Sequence, residues 1–354
     1  MFKFNKLKRI HLEITNNCQA SCPMCARNVN GGLENPLIKI QNWTLEEFKT
    51  IMNLTVLNQV EHFYFCGNYG DPILNNDLIG MCKYSADVAP NVSIAVHTNG
   101  GARNVEWWSQ LAQSLPTNHR VVFALDGLDD THSLYRVGTD FNTIIKNATA
   151  FINAGGTAEW VFIRFKHNEH QVEQARELSK QLGFKTFVLK NSSRFIIEPK
   201  VNVVDRNGVI THFVEPATDT PIKFIDKKII DSFKDIAKDS VIDCKALNDG
   251  EVYIDAYKDL YPCCHTASIP YLYRNQNGLS DILKTMLEQH NDMMNSLGET
   301  NTIKKSLKDI IESNAYQTVW SDYWSVKKLL ICARTCGTGS SINFSRPRDQ
   351  FVNE

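Results

Sequence analysis

Apolar runs with strand-like spacing alternate with amphipathic helical patterns through the first half of the chain. Six runs predict strands, at residues 8–14, 60–67, 91–101, 119–127, 158–168 and 184–190. The patterns between them predict helices, at residues 43–55, 75–87, 105–115, 141–155 and 169–183. Repeated strand–helix units are typical of parallel strands joined by right-handed crossovers. The pattern predicts an α/β fold with a partial (β/α)6 TIM-like barrel, and a doubly wound open sheet is the alternative.

The alternation stops after about residue 190. Residues 196–225 are rich in Pro, Asn and Asp and predict an irregular hairpin. Further on, residues 279–297 and 303–330 have long helical patterns. We therefore expect a barrel core over residues 1–195, an irregular connector over 196–240, and a small α+β domain over 241–354. That last domain carries a helical insertion at about residues 275–325.

Composition and charge exclude several classes of protein. The chain has 354 residues and a net charge of -1, so it has no broad basic field and nucleic acid is not an expected partner. No run approaches the roughly 20 apolar residues that span a membrane. The first residues lack the long apolar segment of a signal peptide, which predicts a cytoplasmic protein. The ten cysteines are then more suited to binding metal than to forming disulfides.

Three of these cysteines follow the first predicted strand in a C-x3-C-x2-C pattern, at Cys18, Cys22 and Cys25. A structural zinc ion takes four protein ligands, whereas a [4Fe–4S] cluster held by three thiolates keeps one iron open for another ligand. The spacing favours such a cluster. Zinc remains the alternative, with His11 or a distant cysteine as the fourth ligand.

Other polar turns follow the next predicted strands. GNYGDP comes after the second strand, HTNGG ends the third and LDG ends the fourth. The carboxyl ends of parallel strands meet at one edge of the sheet, and ligands bind there in barrels and in open sheets alike. We therefore expect these turns and the cysteine loop to form one site.

The cysteine motif after a first strand resembles the signature of the radical S-adenosylmethionine (SAM) enzymes. FCGNYGDPIL is similar to the family's GGEP motif, and HTNG and FALDG are similar to the motifs that end the next two barrel strands. The resemblance covers about residues 8–190 and implies a [4Fe–4S] cluster on the three cysteines, with SAM bound to the open iron. It also implies reductive cleavage of SAM to a 5′-deoxyadenosyl radical that takes hydrogen from a substrate.

The resemblance assigns SAM contacts to residues in these turns: Met24, Asn68, Gly70, Asp71, Pro72, Asn99, Asp126 and Arg136. Asp71 would accept from the methionine ammonium, and Arg136 would pair with the carboxylate. Asn99 and Asp126 would contact the ribose or the methionine. The alternatives are ordinary turn chemistry for Asn99 and Asp126 and a surface ion pair for Arg136.

A second cysteine-rich zone lies in the C-terminal part. Cys244 precedes a predicted hairpin at residues 251–264 that ends in Cys263 and Cys264, and Cys332 and Cys336 follow a helical pattern. This zone resembles the twitch domain, a short form of the SPASM domain, in which four cysteines hold an auxiliary [4Fe–4S] cluster. Motif position favours Cys263 over Cys264, and a structural zinc site is the alternative.

Two further features of this zone concern residues that are not predicted to be ligands. Lys258 stands where the hairpin of the motif usually has glycine. Trp320 and Trp324 are predicted to be packing anchors and not part of a cofactor site.

These features together predict a radical SAM enzyme of oxidoreductase type, reduced by a flavodoxin or ferredoxin. We expect a peptide or protein substrate, and oxidation of a small polar molecule such as an aminocyclitol is the alternative. The first strand begins by about residue 8, so we expect no leader-binding domain before it. A non-catalytic iron–sulfur or zinc scaffold and a methyltransferase that uses SAM without iron are the rivals from other classes.

Overall fold

The fold comes from a computed structural model of the chain, which describes residues 2–195, 199–220, 237, 239–271 and 280–338. Within these ranges, no helix combines the length and the apolar character needed to cross a membrane. The largest element is an eight-stranded sheet. Its outer face is covered by helices and its inner face is polar.

The strands are, in chain order, β1 (Arg9–Leu12), β2 (Asn28–Val29), β3 (Leu33–Glu34), β4 (His62–Phe65), β5 (Ser93–Thr98), β6 (His119–Ala124), β7 (Ala158–Arg164), β8 (Thr186–Asn191), β9 (Val201–Val204), β10 (Ile210–Val214), β11 (Val241–Ile242), β12 (Glu251–Ile254), β13 (Leu260–Tyr261) and β14 (Gly337–Thr338). The order in the large sheet is β13-β12-β1-β4-β5-β6-β7-β8. From β1 to β8 every neighbouring pair is parallel and the strands follow one another in chain order.

This order distinguishes between the two predicted architectures. A doubly wound sheet reverses its strand order at a switch point, and the six strands from β1 to β8 have no such reversal. The predicted partial (β/α)6 barrel is therefore confirmed. Its sheet is open, with β13 and β8 at its two ends.

The α-helices run over Leu45–Ile51, Leu54–Gln59, Leu78–Val88, Val105–Ser114, His132–Tyr135, Phe141–Asn153, Val172–Gln181, Lys245–Asp249, Cys264–Ala267, Ser280–Leu297, Leu307–Ile311, Asn314–Ser325 and Leu330–Cys336. The predicted capping box is present: the Thr44 side chain accepts from the N–H of Glu47, whose carboxylate accepts from the N–H of Thr44. The predicted helix at 43–55 is wrong in one respect. It ends at Ile51, and Asn53 caps a separate helix, Leu54–Gln59.

Alternating side chains on each strand separate the two faces of the sheet. On β1 the apolar Ile10 and Leu12 are buried in the main hydrophobic core together with Phe63 and Phe65 of β4. His11 of β1 has the opposite orientation, and its ring stacks on Tyr64 of β4 with centroids 4.6 Å apart. Because one face carries aliphatic and aromatic side chains and the other carries polar ones, the barrel has a dry outer layer and a polar lumen.

The hairpin of β12 and β13 extends the barrel sheet, which the sequence did not predict. β12 pairs in parallel with β1, from Arg9 opposite Glu251 to Leu12 opposite Ile254. Lys258 lies in the hairpin turn with φ +71°, a left-handed conformation that favours glycine. Its Nζ lies 2.9 Å from Glu47 Oε1, and this ion pair offsets part of the backbone cost of a lysine at that position.

The region after β8 forms smaller elements. β9 and β10 pair antiparallel, which confirms the predicted hairpin, although residues 196–198 and 221–225 lie outside the described residues. Helix Ser280–Leu297 of the predicted insertion packs against helix Asn314–Ser325. Residues 275–279 of that insertion lie outside the described residues.

Gly250, directly before β12, provides a test of how the hairpin joins the sheet. It has φ +63°, and a Cβ there would lie 2.4 Å from the carbonyl oxygen of Lys6. An alanine in the left-handed conformation costs about 1–2 kcal/mol by itself. We expect Gly250→Ala to lower the free energy of unfolding by well over that amount, because the backbone before β1 must also move. Urea unfolding of the metal-free protein measures this change.

Gly155→Ala is the matched control. Gly155 has φ +93°, but a Cβ there meets nothing within 4 Å. The control therefore carries the backbone cost without the clash. Equal losses in the two variants would contradict the close approach of Gly250 to Lys6, in the turn before β1.

Candidate functional site

The cysteine loop lies at the carboxyl end of β1. Cys22 is buried, and Cys18 and Cys25 are partly buried. The N–H of Cys25 donates to the carbonyl of Cys22 at 3.1 Å, and the N–H of Ser21 donates to the carbonyl of Val137 at 2.7 Å. These bonds fold the loop into a tight turn held against the segment after β6, with the three thiols on one loop.

The surroundings of Cys18 and Cys22 favour the protonated thiols while no cation is bound. Burial raises the pKa of Cys22 to about 11, although the Arg136 guanidinium beside it lowers that pKa. Burial also raises the pKa of Cys18 above its usual range, and Asp71, Cys22 and Cys25 raise it further. Asn99 Nδ2 lies 3.7 Å from Cys18 Sγ and donates to it. A bound metal cation would favour the deprotonated thiolates and would offset the repulsion between them.

Asp71 ties the ends of β4 and β5 together. Its carboxylate accepts from the Thr98 hydroxyl at 2.8 Å, the Asn99 N–H at 2.7 Å and the Ile73 N–H at 3.2 Å. Asn99 in turn accepts through Oδ1 from Gln19 Nε2 at 2.6 Å, next to Cys18. Asp71 therefore positions Asn99 against the cysteine loop.

Gly70 allows the GNYGDP turn to reach the cysteine loop. A Cβ at Gly70 would lie 1.9 Å from the carbonyl oxygen of Thr15 and 2.7 Å from Asn16 Cα. The N–H of Asp71 donates to the carbonyl of Asn17 at 2.8 Å. A residue with a side chain at position 70 would push these two segments apart.

Asp126 and Arg136, predicted to contact SAM separately, bind each other. Arg136 Nε donates to Asp126 Oδ2 at 2.6 Å, and the Asp126 side chain is fully buried. Asp126 Oδ1 accepts from the N–H of Ile163 at 2.7 Å, which ties the end of β6 to β7. The pair is buried, so the surface ion pair considered for Arg136 is wrong.

The remaining predicted contacts lie around this centre. Asn68 accepts from the Cys25 thiol through its backbone carbonyl, with 3.9 Å between the atoms, and donates through Nδ2 to the carbonyl of Cys264 at 2.9 Å. Pro72 is buried at the start of a short 3-10 turn. The Met24 side chain packs on a separate apolar cluster that contains Tyr135.

Glu13, at the end of β1, is a functional candidate that the sequence reasoning missed. It is 2% exposed, and its Oε1 accepts from the N–H of Tyr69 at 2.7 Å and of Gly70 at 3.1 Å. Its Oε2 accepts from the hydroxyl of Tyr253 on β12. Burial raises the pKa of Glu13 to about 7, although these hydrogen bonds lower it. The alternation in RIHLE could have indicated it, because it places Glu13 on the same side as His11.

The lumen beneath the site contains neutral imidazoles. Burial lowers the pKa of His11 to about 4 and of His97 to about 3. The ring of Tyr64 lies between them, with centroids 4.6 Å from His11 and 5.6 Å from His97. These side chains offer hydrogen bonds without charge at neutral pH.

The second group of thiols lies around β11 and β14, which pair antiparallel just before Cys244 and just after Cys336. Burial raises the pKa of Cys332 well above its usual range, and Cys263, Cys244 and Cys336 raise it further. The helix Leu330–Cys336 contacts both the helix Cys264–Ala267 and β11, which brings the four thiols into one region. Cys264 has other neighbours: beyond Cys263, its pKa is raised by Cys66, Glu251 and Glu13 of the barrel lumen.

Neither thiol group is arranged for a single ion. Within the described ranges of the chain, no three side chains of His, Cys, Asp or Glu are placed to hold one metal ion. What the geometry offers is three thiols beside the strand-end turns and four thiols around β11.

The family model described as the Radical SAM superfamily matches residues 12–188. The fold resembles Streptococcus suis SuiB bound to S-adenosylmethionine, with a TM-score of 0.56 and 14% identity over 89% of this chain and 68% of that one. It also resembles anSMEcpe with bound AdoMet and a Cp18Cys peptide, with a TM-score of 0.51 and 14% identity over 93% of this chain and 88% of that one. No curated protein matches the sequence.

The buried Glu13 predicts a pH dependence of stability. Its pKa is about 7 in the folded protein against an ordinary value of 4.5, so between these pH values the folded state holds the proton more tightly than the unfolded state. Stability therefore falls as pH rises from 4.5 to 7, by up to about 3 kcal/mol from this group. Glu13→Gln stays neutral, so we expect its stability relative to wild type to rise over this range and then level off.

Thermal unfolding of the metal-free proteins between pH 5 and 8 or so measures the difference. Glu106→Gln, on the exposed face of helix Val105–Ser114, is the matched control and should show no such rise. A Glu13→Gln curve parallel to wild type would contradict the burial of an ionisable carboxyl at this position.

Proposed function

This chain belongs to the radical SAM superfamily, and we propose that it is an oxidoreductase-type enzyme that modifies a peptide or protein with two iron–sulfur clusters. One observation carries the proposal. The loop of Cys18, Cys22 and Cys25 meets Gly70 and Asn99 at the carboxyl edge of the barrel sheet. A family of enzymes with SAM chemistry needs its thiolates and its SAM-binding turns at that edge.

Cys18, Cys22 and Cys25 would hold the first [4Fe–4S] cluster, which fits three thiols on one loop with N–H donors aimed at the sulfurs. When bound, this cluster supplies the electron that cleaves SAM and so generates the radical that takes hydrogen from substrate. Burial keeps the Cys22 thiol from solvent, and the Arg136–Asp126 pair lies beside it. An external flavodoxin- or ferredoxin-type reductant would provide the electron.

The strand-end turns would position SAM. Gly70 leaves room for the close backbone approach that a ligand at this edge requires. A carboxylate has about four acceptor positions, and Asp71 uses three of them internally, which leaves one for the methionine ammonium. Arg136 uses Nε for Asp126, so its other nitrogens would serve Cys22 and the methionine carboxylate.

Cys244, Cys263, Cys332 and Cys336 would hold the auxiliary cluster. Four neighbouring thiols complete the shell of a cube without an open iron, which suits electron transfer. Cys263 is the proposed ligand because Cys336 is among the groups that affect its thiol. The Cys264 thiol is affected by Cys66 and Glu13 of the barrel lumen.

Anaerobic reconstitution tests the proposal. We expect about eight irons and eight sulfides in wild type and about four of each in the Cys18→Ala, Cys22→Ala, Cys25→Ala triple variant. With dithionite and SAM, only wild type should form 5′-deoxyadenosine, because the triple variant has lost the thiolates of the first cluster. Iron and sulfide analysis and chromatography measure these outcomes.

Cys82→Ala is the matched control, because Cys82 is a buried core residue of helix Leu78–Val88. It should keep its iron and its SAM cleavage. Zinc in place of iron in the reconstituted protein would contradict the proposal. So would iron-loaded wild type that forms no 5′-deoxyadenosine, and the scaffold alternative would then stand.

Exposed apolar side chains on the β2–β3 and β9–β10 hairpins, beside the cysteine loop, support a peptide or protein substrate. A Cβ at Gly31, in the β2–β3 turn, would lie 3.0 Å from the carbonyl of Ser21, and the N–H of Val204 on β9 donates to the carbonyl of Asn30 at 2.9 Å. On these two hairpins the exposed fraction is 43% for Leu33, 57% for Ile210 and 45% for Phe213. Exposed apolar residues next to a site are typical of surfaces that bind polypeptides.

The polar lumen supports a second candidate, oxidation of a small polar molecule. Neutral His11 and His97 and the ring of Tyr64 line the lumen, and such groups recognise hydroxyl and amino groups of a compact substrate.

Protease treatment of a cell extract distinguishes the two candidates. We expect the extract to raise the rate of SAM cleavage by the reconstituted enzyme, because bound substrate consumes the radical. Proteinase digestion should abolish this increase if the substrate is a polypeptide. The rate of 5′-deoxyadenosine formation is the measurement, with the triple cysteine variant as the control for cleavage without the enzyme's own cluster.

The polypeptide proposal would be contradicted if the increase in rate persisted after digestion and if the component that causes it passed a small-molecule filter. That result would favour the small polar substrate.

A further inference from the structure

Three buried hydrogen-bond donors on one helix have no acceptor within the ranges that the structure describes. They are Tyr316 Oη, Trp320 Nε1 and Trp324 Nε1, all on helix Asn314–Ser325. Tyr316 is 1% exposed and Trp320 is fully buried. Buried polar groups in native proteins nearly always have a partner, and one without a partner destabilises the fold. Three on one helix therefore indicate acceptors that the described part of the chain does not provide.

The spacing places all three on one helix face. Residues 316, 320 and 324 are four apart, and residues four apart are neighbours on a helix surface. The ring centroids of Tyr316 and Trp320 are 5.6 Å apart, and those of Trp320 and Trp324 are 5.8 Å apart. The donors thus form a continuous row about two turns long.

Both ends of the row lie close enough to the second thiol group to interact electrostatically with it. Burial raises the pKa of the Tyr316 hydroxyl well above its usual range, and Cys263 and Cys244 raise it further, so the hydroxyl lies near these two thiols. At the other end, a weak hydrogen-bond interaction from the Trp324 indole lowers the pKa of the Cys332 thiol, which burial raises. That indole N–H still lacks an acceptor in hydrogen-bonding geometry among the described residues.

The backbone fixes this helix against the cysteines. The N–H of Leu329 donates to the carbonyl of Tyr323 at 2.9 Å, which joins the end of the aromatic helix to the start of the helix that carries Cys332 and Cys336. The aromatic helix also packs against β11, which leads into Cys244. The backbone therefore holds the aromatic helix against the segments that carry the second thiol group.

We propose that Tyr316, Trp320 and Trp324 donate hydrogen bonds to the sulfur atoms of the auxiliary cluster held by Cys244, Cys263, Cys332 and Cys336. The inference rests on the proposed function, which supplies that cluster. Cluster sulfides and thiolates are acceptors, so they satisfy all three orphaned donors at once.

The physical consequence is a raised reduction potential. Reduction adds one negative charge to the cluster, and N–H or O–H groups aimed at its sulfurs stabilise that charge. The helix within the predicted insertion thus sets the potential at which the auxiliary cluster takes an electron from the barrel site.

The experiment uses the full-length Cys18→Ala, Cys22→Ala, Cys25→Ala variant, in which the auxiliary cluster is the only one left. Tyr316→Phe and Trp324→Phe are added singly and together, and each keeps an aromatic ring but removes the donor. Redox titration followed by electron paramagnetic resonance measures the midpoint potential. We expect each variant to lower it and the pair to lower the reduction equilibrium constant about tenfold, which is about 59 mV for one electron.

Trp107→Phe is the matched control, because Trp107 packs on Trp108 in the barrel and lies far along the chain from the second thiol group. It should leave the potential unchanged. An unchanged potential in the Tyr316 and Trp324 variants, with about four irons retained, would overturn this inference alone. A triple cysteine variant that binds no iron would overturn the auxiliary cluster itself and the inference with it.

A second measurement needs no change to the aromatic helix. In the triple cysteine variant reduced in D2O, electron–nuclear double resonance should show deuterons coupled to the cluster, since hydroxyl and indole protons exchange. The absence of any coupled exchangeable site would also overturn the inference.

Discussion

The buried carboxylate of Glu13 is the interaction on which the rest of the site depends. An anion removed from water needs donors, and Glu13 obtains them from the N–H groups of Tyr69 and Gly70 and from the hydroxyl of Tyr253. Two of these donors belong to the turn after β4 and the third to β12. One side chain at the end of β1 therefore fixes the strand-end turn and the C-terminal hairpin in the same place.

Strand β1 carries this role because of its position in the sheet. It lies between β4 on one side and β12 on the other, and the cysteine loop begins where it ends. The hairpin that pairs with it leads to Cys263, so the sheet sets the separation of the two thiol groups as well as the order of the strands. Radical chemistry needs such a rigid frame, because a reactive intermediate must meet only its intended substrate.

Much of the fold could be predicted from local sequence. The six barrel strands, their helices and the capping box at Thr44 all depend on residues close together in the chain. The pairing of β12 with β1 could not be predicted, because local periodicity says nothing about a partner at the other end of the chain. The same limit explains Arg136, whose partner Asp126 is visible only when the loop after β6 folds back.

The candidate site divides in the same way. Cysteine spacing predicted three thiols grouped on one loop after β1, because that spacing is a local feature of the sequence. Glu13 was missed because a glutamate at a strand end is usually exposed, and only strand pairing on both sides buries it. Trp320 and Trp324 were predicted to be packing anchors, and the structure adds indole N–H groups without acceptors, a property that depends on tertiary contacts.

The late arrival of β12 also affects how the chain is made. As the polypeptide leaves the ribosome, β1 can pair with β4 early, but its other edge stays open until the hairpin has been synthesised. An open strand edge can recruit strands of other chains, and charged residues discourage this. Lys8 and Arg9 lie at the start of that edge and Glu13 follows its end. The same charges that surround β1 in the finished enzyme can therefore protect the nascent barrel from aggregation.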